Sequence, residues 1–377
     1  SRLCDGLRLQ NIDMYMQVAI KTGESPFVDG PAKLASQMAR ILRAKIDLLP
    51  LNIYPHRLKS DWSPGWFSQG GIPSGFKIKP DIVHLHWVLD GFLSVGQISK
   101  LNVPLVWTLH DMWAFTGGCH YAGACLQYEE KCGECPQLGS SKEKDLSRWL
   151  WKRKARAWQE LNMTIVAPSR WLADCAGRSR LFKGKRIEVI PNGIDTQIYK
   201  PMDKAFCRDL LGLPQSCCLV LFGAMNATSD PRKGFGLLRQ ALDLLPQDSG
   251  IELCIFGASK PSNPLDLSVP VHYLGKVHDD VTMAAVYSAA DTVVVPSRED
   301  NLPNVVMEAL ACGTPCVAFD VGGLPDMIDH QDNGYLARPY DVEDLVQGLK
   351  WVLEGKDRLN SLSRNARVKI RGNFGIK

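Results

Sequence analysis

The chain has 377 residues, a length that suggests two domains rather than one. Apolar residues make up 45% and charged residues 22%, as is usual for a globular protein with packed cores, and no apolar run approaches the roughly 20 residues that span a bilayer. The net charge of +4 is too small to indicate a nucleic-acid-binding protein. Most of the twelve cysteines lie in apolar strand-like runs, and the length argues against a disulfide scaffold.

Short apolar runs alternate with helical segments along the chain. The strand candidates are 15–20, 81–88, 104–110 and 163–169 in the first half, and 218–224, 252–258, 271–275, 292–297 and 316–320 in the second. These runs lack polar–apolar alternation, which is typical of strands buried on both faces. Helical patterns between them, such as 234–245 and 281–291, predict parallel sheets flanked by helices. We therefore predict an α/β protein with two doubly wound domains, 1–190 and 191–377, joined through the Pro-Asn-Gly turn of segment 186–204.

The two ends of the chain do not match a complete domain of this kind. The chain opens with a predicted helix, SRLCDGLRL, where a doubly wound domain normally opens with a strand and a tight turn. It closes on SRNARVKIRGNFGIK, a helical segment without an obvious stop signal. We expect a fragment clipped at both ends.

The stretch SREDNLPNVVMEALACGTP, residues 297–315, places two acids beside the start of an apolar helix predicted over 303–312. Pro303 suits the first helical turn, Asn301 or Asn304 could cap it, and Gly313 suits its end. In open α/β sheets ligands bind at the carboxyl ends of the strands, and a helix start there attracts phosphate.

Acids this close to a phosphate site need another partner. An ionised carboxylate only accepts hydrogen bonds, so the hydroxyl groups of a ribose and a sugar suit Asp300 and Glu308. The alternative is that both acids are solvated and simply favour the positive end of the helix dipole.

Several segments resemble the retaining glycosyltransferases of family 4, which have the two-domain GT-B fold. Residues 296–328 are similar to the donor-binding signature of that family, 189–201 to its interdomain segment and 223–238 to its phosphate loop. The segment LHDMW, 109–113, extends the match into the first half.

The resemblance implies two Rossmann-like domains that face a cleft, with the acceptor side in 1–190 and nucleotide-sugar binding in 191–377. It implies transfer of a sugar from a nucleotide-diphosphate sugar to a glycan or lipid-linked acceptor, as in polysaccharide or glycolipid synthesis, without a catalytic cofactor. The first strand and the C-terminal crossover helix of the family are expected to be missing, so the fragment itself is expected to bind its donor poorly. A cytoplasmic protein, with peripheral contact at the inner membrane face as an option, fits this chemistry.

The resemblance also implies roles for individual residues. The catalytic group comprises His110, Asp300 and Lys233, and the donor-binding group comprises Arg232, Lys233, Asn301, Leu302, Pro303 and Glu308. His110 is expected to position and polarise the donor sugar. Asp300 is expected to contact that sugar, and Glu308 to hold the ribose hydroxyls. Asp111 is expected either to contact the sugar or to cap a helix.

The chain departs from the family pattern at two positions. Asp300 stands where the family has a longer glutamate, which would shift the favoured sugar or weaken turnover. Ala224 stands where the phosphate loop usually carries an arginine. Arg232, next to Lys233, either replaces that charge or is merely solvated.

A short loop, CHYAGACLQYEEKCGEC, holds Cys119, Cys125, Cys132 and Cys135. Four thiolates satisfy a closed, tetrahedral structural zinc site. The alternative is four free thiols or a redox-sensitive pair in a polar loop.

The segment RWLWKRKARAW, 148–158, predicts a helix with Arg148, Lys152 and Arg156 on one stripe and Trp151 and Trp158 on another. Such a helix could lie on an anionic bilayer. The favoured alternative is that the tryptophans pack against their own domain.

Other classes of protein are also consistent with part of this pattern. A nucleotide-sugar epimerase would lack the Asn-Gly-Ile-Asp joint and the Gly-Thr-Pro helix end, and a dinucleotide oxidoreductase would need a G-x-G-x-x-G motif after a strand. A degenerate, non-catalytic GT-B protein that binds a glycan or a partner is the remaining alternative, which Asp300 and Ala224 keep open.

Overall fold

A computed structural model describes residues 2–21, 24–30, 34–68, 79–223, 230–246, 248–257 and 267–376. The chain divides into two compact units, Ser1–Ile190 and Pro191–Lys377. The roles expected of the two units, acceptor side and donor side, remain predictions.

The first unit is built around a parallel sheet. Its elements in chain order are α1 (Arg2–Leu9), β1 (Met16–Gln17), β2 (Val28–Asp29), α2 (Leu34–Asp47), β3 (Val83–Leu85), α3 (Val95–Ile98), β4 (Leu105–Thr108), α4 (Gln127–Glu130), α5 (Leu146–Gln159), β5 (Met163–Ala167), α6 (Arg170–Arg178) and β6 (Arg186–Val189). Strands β3 to β6 form a four-stranded parallel sheet in chain order, and β1 pairs only with β2 among the described strands. Trp107 of β4 packs edge-on against the buried Trp158 of α5, with ring centroids 5.4 Å apart, in the core of this unit.

Three of the four strands predicted in the first half are confirmed within this sheet. The prediction for 15–20 is wrong in extent and in placement, because only Met16–Gln17 is a strand and it lies in the small β1–β2 pair. Its residues are half-buried at most and Tyr15 is exposed, so the run lacks the burial on both faces that its apolar composition suggested.

The second unit is a larger parallel α/β unit. Its elements are α7 (Lys204–Leu210), β7 (Cys218–Gly223), α8 (Phe235–Asp243), β8 (Ile251–Phe256), β9 (Val271–Gly275), α9 (Asp280–Ala289), β10 (Thr292–Val295), α10 (Asn304–Ala311), β11 (Cys316–Phe319), α11 (Leu324–Met327), β12 (Gly334–Ala337), α12 (Val342–Leu353) and α13 (Lys356–Asn373). All five strands predicted in the second half are confirmed, and β12 is an additional edge strand that the sequence did not indicate.

The six strands of the second unit run in the order β12-β11-β10-β7-β8-β9. The order reverses between β7 and β10, so these neighbouring strands lead into connections that turn in opposite directions along the sheet. Such a reversal marks where open α/β sheets bind ligands, because the loops after the two strands diverge and leave a crevice.

Alternate residues of these strands enter two different cores. Leu221, Val293 and Val295 belong to one buried cluster, and Val220 and Val294 belong to the other. Both faces of the sheet are therefore covered, which explains the unbroken apolar runs in the sequence. This unit confirms the predicted doubly wound, Rossmann-like class. Within the described residues, no helix combines the length and the apolar character that crossing a bilayer requires.

Candidate functional site

An ion pair lies where the strand order of the second sheet reverses. Asp300 follows β10, and the 3-10 turn Pro231–Lys233 precedes α8. Lys233 Nζ donates to Asp300 Oδ2 at 2.7 Å, and Arg232 Nη1 lies 3.8 Å from Oδ1. Asp300 is only 6% exposed, so water and salt screen these charges weakly. Three of the predicted site residues are therefore brought together.

Two glycines allow the loops to approach this closely. Gly234 has φ +71°, and a β-carbon there would collide with the carbonyl oxygen of Pro296. Gly322 has φ +57°, and a β-carbon there would collide with the carbonyl oxygen of Asp300, which instead accepts the N–H of Gly323 at 3.0 Å. Any side chain at either glycine would push the acid loop away.

Arg232 is tied into the same arrangement. Its guanidinium donates to the backbone oxygen of Glu299 at 3.2 Å, and its own backbone oxygen accepts from Arg298 N–H at 2.8 Å. Asp230 caps the turn by accepting the Arg232 N–H at 2.9 Å. Arg232 is thus half-buried beside the acid loop rather than extended into solvent. Ala224, the other position considered for this charge, lies outside the described residues.

The three residues that follow Asp300 are buried. Asn301, Leu302 and Pro303 form the turn into α10, and Asn301 N–H donates to Asp300 Oδ1 at 3.2 Å. The expected asparagine cap is wrong, because Pro303 occupies the N-cap position and Asn304 is the first helical residue. Gly313 follows the helix end with φ +75°, as predicted.

Glu308 is half-buried in α10 and is held by a residue of the neighbouring helix. The hydroxyl of Tyr287, in α9, donates to Glu308 Oε2 at 3.0 Å. Burial, together with the charge of Glu308, raises the pKa of Tyr287 well above its ordinary value, so the tyrosine stays a donor. The hydrogen bond from Tyr287 therefore fixes one oxygen of Glu308 and orients its carboxylate.

Three histidines meet at the carboxyl ends of β3 and β4 in the first unit. His86 Nδ1 lies 3.1 Å from His110 Nε2, and the rings of His84 and His86 are 4.4 Å apart. Burial lowers the pKa of His86 from 6.5 to about 4, with the neighbouring histidines adding to the effect, and burial also lowers the pKa of His110. At neutral pH both rings are uncharged, so one donates to the other and their tautomers are coupled.

Asp111 follows His110 and accepts from several protein groups. Trp113 N–H donates to one oxygen at 2.8 Å, and His120 Nδ1 and Trp87 Nε1 lie 2.6 Å and 3.2 Å from the other. Burial alone would raise the pKa of Asp111, but the hydrogen bonds from His120, Trp113 and Trp87 hold it below its ordinary value. The N-cap position of the following 3-10 turn, Trp113–Phe115, is Met112, so Asp111 binds this turn without occupying its cap, and contact with the sugar stays a prediction.

The predicted zinc ligands Cys119, Cys125, Cys132 and Cys135 are free thiols that line one cavity of the first unit. Among the residues that the structure describes, no three His, Cys, Asp or Glu side chains are already arranged to hold a metal ion. The four cysteines therefore line the same cavity, but their sulfur atoms are not arranged around one metal position.

Helix α5 contains the basic segment 148–158. The expected basic surface stripe is wrong at Arg148, which is buried and donates to the carbonyl oxygen of Cys132. Lys152 and Arg156 are exposed, whereas Trp158 is buried and donates to Ala114 O at 3.0 Å. The aromatic stripe thus packs at Trp158 inside its own unit, which supports the favoured alternative to membrane contact.

Comparison with known proteins places these sites in a family. Residues 27–198 match the family described as Glycosyltransferase Family 4, and residues 225–369 match the one described as Glycosyl transferases group 1. The two matches follow one another and together span most of both units. The chain belongs to the family 4 glycosyltransferases.

A D-inositol 3-phosphate glycosyltransferase from Segniliparus rotundus is 35% identical over 297 residues, which cover 75% of this chain and 60% of the relative. Sucrose-phosphate synthase from Thermosynechococcus elongatus has a TM-score of 0.60 at 23% identity, over 78% of this chain and 70% of that one. Anabaena HepE, solved in complex with UDP-glucose, has a TM-score of 0.56 at 19% identity, over 78% and 75%. The two solved structures confirm the GT-B fold. The chain spans about 60% of the length of the first curated relatives it matches.

Sequence reasoning missed two residues of these candidate sites, Tyr287 and His86. Tyr287 is the one tyrosine in an otherwise small and apolar stretch of α9, a position where a buried hydroxyl needs a partner. His86 directly follows β3 at the end of the segment HLH, and His110 follows β4, so parallel pairing of these two strands could have indicated the contact.

The histidine group predicts a dependence of stability on pH. Its folded-state pKa values lie below the ordinary 6.5, so between pH 6.5 and about 4 the unfolded chain binds protons that the folded chain does not. The free energy of unfolding should be insensitive to these groups above pH 6.5 and should fall as the pH drops below it. Urea unfolding at pH 7.5, 6.5, 5.5 and 4.5 measures this slope, and His86→Gln should reduce it.

His278→Gln is the control, because that histidine is exposed and lies in the second unit. An equal change of slope in both variants would show that the histidine group does not cause the effect.

Proposed function

We propose that this glycosyltransferase moves a hexose-type sugar from a nucleotide-diphosphate sugar to a hydroxyl of a glycan or lipid-linked acceptor, with retention of the anomeric configuration. The observation that carries the proposal is the shielded Lys233–Asp300 ion pair, with Arg232 beside it, at the reversal point of the second sheet.

The two cations suit a departing diphosphate. Breaking the bond between the anomeric carbon and the phosphate oxygen places negative charge on the leaving group, and fixed positive charges in a weakly screened site stabilise it. Without donor, Asp300 neutralises Lys233 at 2.7 Å. With donor, phosphate oxygens take over the Lys233 and Arg232 donors, and the released carboxylate accepts from a sugar hydroxyl. We expect this chemistry to need no metal ion.

Glu308 suits the ribose. Its Oε2 accepts from Tyr287, and we expect the carboxylate, oriented by this hydrogen bond and by α10, to accept from ribose hydroxyls. Asn301, Leu302 and Pro303 shape the turn between this carboxylate and Asp300, so the diphosphate and the sugar can be bound at the start of α10.

The first unit is the proposed acceptor side. His110, its tautomer coupled to that of His86, is suited to positioning and polarising a hydroxyl rather than to carrying a charge at neutral pH. The named activity of the Segniliparus relative indicates inositol phosphate as one acceptor class to test, and HepE indicates UDP-glucose as the first donor.

Donor use is tested with a panel of nucleotide sugars, beginning with UDP-glucose. We expect one donor to raise the melting temperature of the protein and to be transferred or slowly hydrolysed. Lys233→Ala should lower kcat/KM for that donor by about 10²–10³-fold, as expected when a preorganised charge is lost. Lys204→Ala is the matched control, since that lysine also pairs with an aspartate, Asp291, at 2.6 Å in the same unit but away from Asp300.

Two results would contradict the proposal. If no nucleotide sugar stabilises the protein, the proposal that it binds such a donor is wrong. If a donor binds but is neither transferred nor hydrolysed, the protein is a non-catalytic binding protein and not an enzyme.

Tyr287 gives a second prediction. Tyr287→Phe should keep the packing but release Glu308 Oε2, and it should weaken UDP binding about three- to tenfold. Binding of 2′,3′-dideoxy-UDP should not change, because that analogue offers no ribose hydroxyls. Isothermal titration calorimetry with both nucleotides measures the difference.

Tyr199→Phe is the matched control, because that buried tyrosine donates to Asp280 at 2.8 Å in the same unit. An equal loss of affinity for both nucleotides, or an equal effect of the control, would assign Tyr287 a purely structural role.

A further inference from the structure

Four thiols of the first unit converge on one small cavity. Cys119, Cys125, Cys132 and Cys135, here called the cysteine cluster, all line it, and each is free of a disulfide. Burial raises the pKa of the Cys119 thiol, and the nearness of the other three thiols adds to that rise. They reach the cavity from separate turns of the long connection between β4 and α5, where α4 lies between Cys125 and Cys132.

The last two members form a tight turn. Gly133 and Glu134, between Cys132 and Cys135, have φ +136° and +46°. These two positive φ values bend the chain so that the two cysteines line the same cavity. A β-carbon at Gly133 would collide with the carbonyl oxygen of Glu143, in the segment that precedes α5. A Cys-x-x-Cys turn of this kind is the usual half-site of a zinc centre.

Backbone N–H groups already point at these sulfurs. Burial raises the pKa of the Cys132 and Cys135 thiols, and the N–H groups of Gly117 at Cys132 and of Leu138 and Gln137 at Cys135 offset only part of that rise. A neutral thiol is a weak acceptor, whereas a thiolate is a strong one, so such donors favour the anionic form. The same donors form the outer shell that orients thiolate ligands of metals.

A buried cation lies beside the cluster. Lys154, in α5, is fully buried, and its ammonium donates to the backbone oxygens of Trp113 and Thr116. It forms no ion pair with any carboxylate of the described residues; burial lowers its pKa to about 7, and Cys119, Cys132 and Asp111 oppose that shift. An anionic centre at the cluster would add to the negative charge that Asp111 supplies near this buried amine.

We propose that the cysteine cluster binds one zinc ion as a closed, structural tetrathiolate site. Four Zn–S bonds form as the four thiols release their protons to solvent, which leaves a centre of net charge −2 beside Lys154. Since the described sulfurs are not yet arranged around one metal position, binding must draw them inward across the cavity. The site would fix the connection between β4 and α5, which carries Asp111, and it is independent of the proposed transfer reaction.

The zinc content of the full chain tests this inference directly. Protein purified without chelators or a metal-affinity tag should contain about one equivalent of zinc when measured by inductively coupled plasma mass spectrometry. Cys132→Ser and Cys135→Ser should each lose most of it. Cys175→Ser is the matched control, since that cysteine is buried in the same unit but outside the cluster, and it should keep the metal.

Replacement of zinc by cobalt(II) covers the case in which a serine variant does not fold. The cobalt protein should show the sulfur-to-cobalt charge-transfer absorption of four thiolates and the visible bands of a tetrahedral site. Folded protein with less than about a tenth of an equivalent of zinc, and no such spectrum after cobalt is added, would overturn the proposal. Bound iron in place of zinc, or disulfides between the cluster thiols in freshly purified protein, would overturn it equally.

Discussion

Lys233 and Asp300 meet at 2.7 Å because three separate features of the second unit converge. The strand order reverses between β7 and β10, Gly234 lets the turn before α8 lie against Pro296, and Gly322 lets the chain after β11 lie against the acid. A shielded ion pair contributes little to stability once the loss of hydration is counted. We propose that its value is to keep a shielded cation oriented and able to exchange the carboxylate of Asp300 for a phosphate.

Two other polar side chains are also oriented by a hydrogen bond to a neighbouring residue. Tyr287 holds one oxygen of Glu308, and His86 is hydrogen-bonded to His110. In both pairs a group expected to bind the donor is fixed by a partner from the neighbouring element, so little orientation entropy is lost when a ligand arrives. Because neither partner is itself expected to contact the ligand, a change in Tyr287 or His86 should alter the orientation of its neighbour before it alters the fold.

The sequence predicted the strands of the large sheet well, because strands buried on both faces appear as unbroken apolar runs. It did not indicate β12, since the four residues Gly334–Ala337 give too short a pattern. Asp300, Glu308 and Lys233 were found through family motifs, but their meeting depends on the order of the strands, which local periodicity does not contain. The contact between Tyr287 and Glu308 joins two helices that β10 separates in the sequence, and no rule of residue spacing predicts such a contact. Helical spacing also predicted that Arg148 lies on an exposed stripe, whereas its side chain is buried and donates to the backbone oxygen of Cys132.

The central claim is that a diphosphate competes with Asp300 for Lys233, and the affinity of UDP for three forms of the protein tests it most directly. Isothermal titration calorimetry should show that Lys233→Met weakens UDP binding by about tenfold or more, since a desolvated cation is lost. Asp300→Asn should tighten UDP binding, because the internal competitor loses its charge, even though transfer from the full donor is impaired. If Asp300→Asn weakens UDP as much as Lys233→Met does, or if neither changes the affinity, the phosphate does not bind at this ion pair.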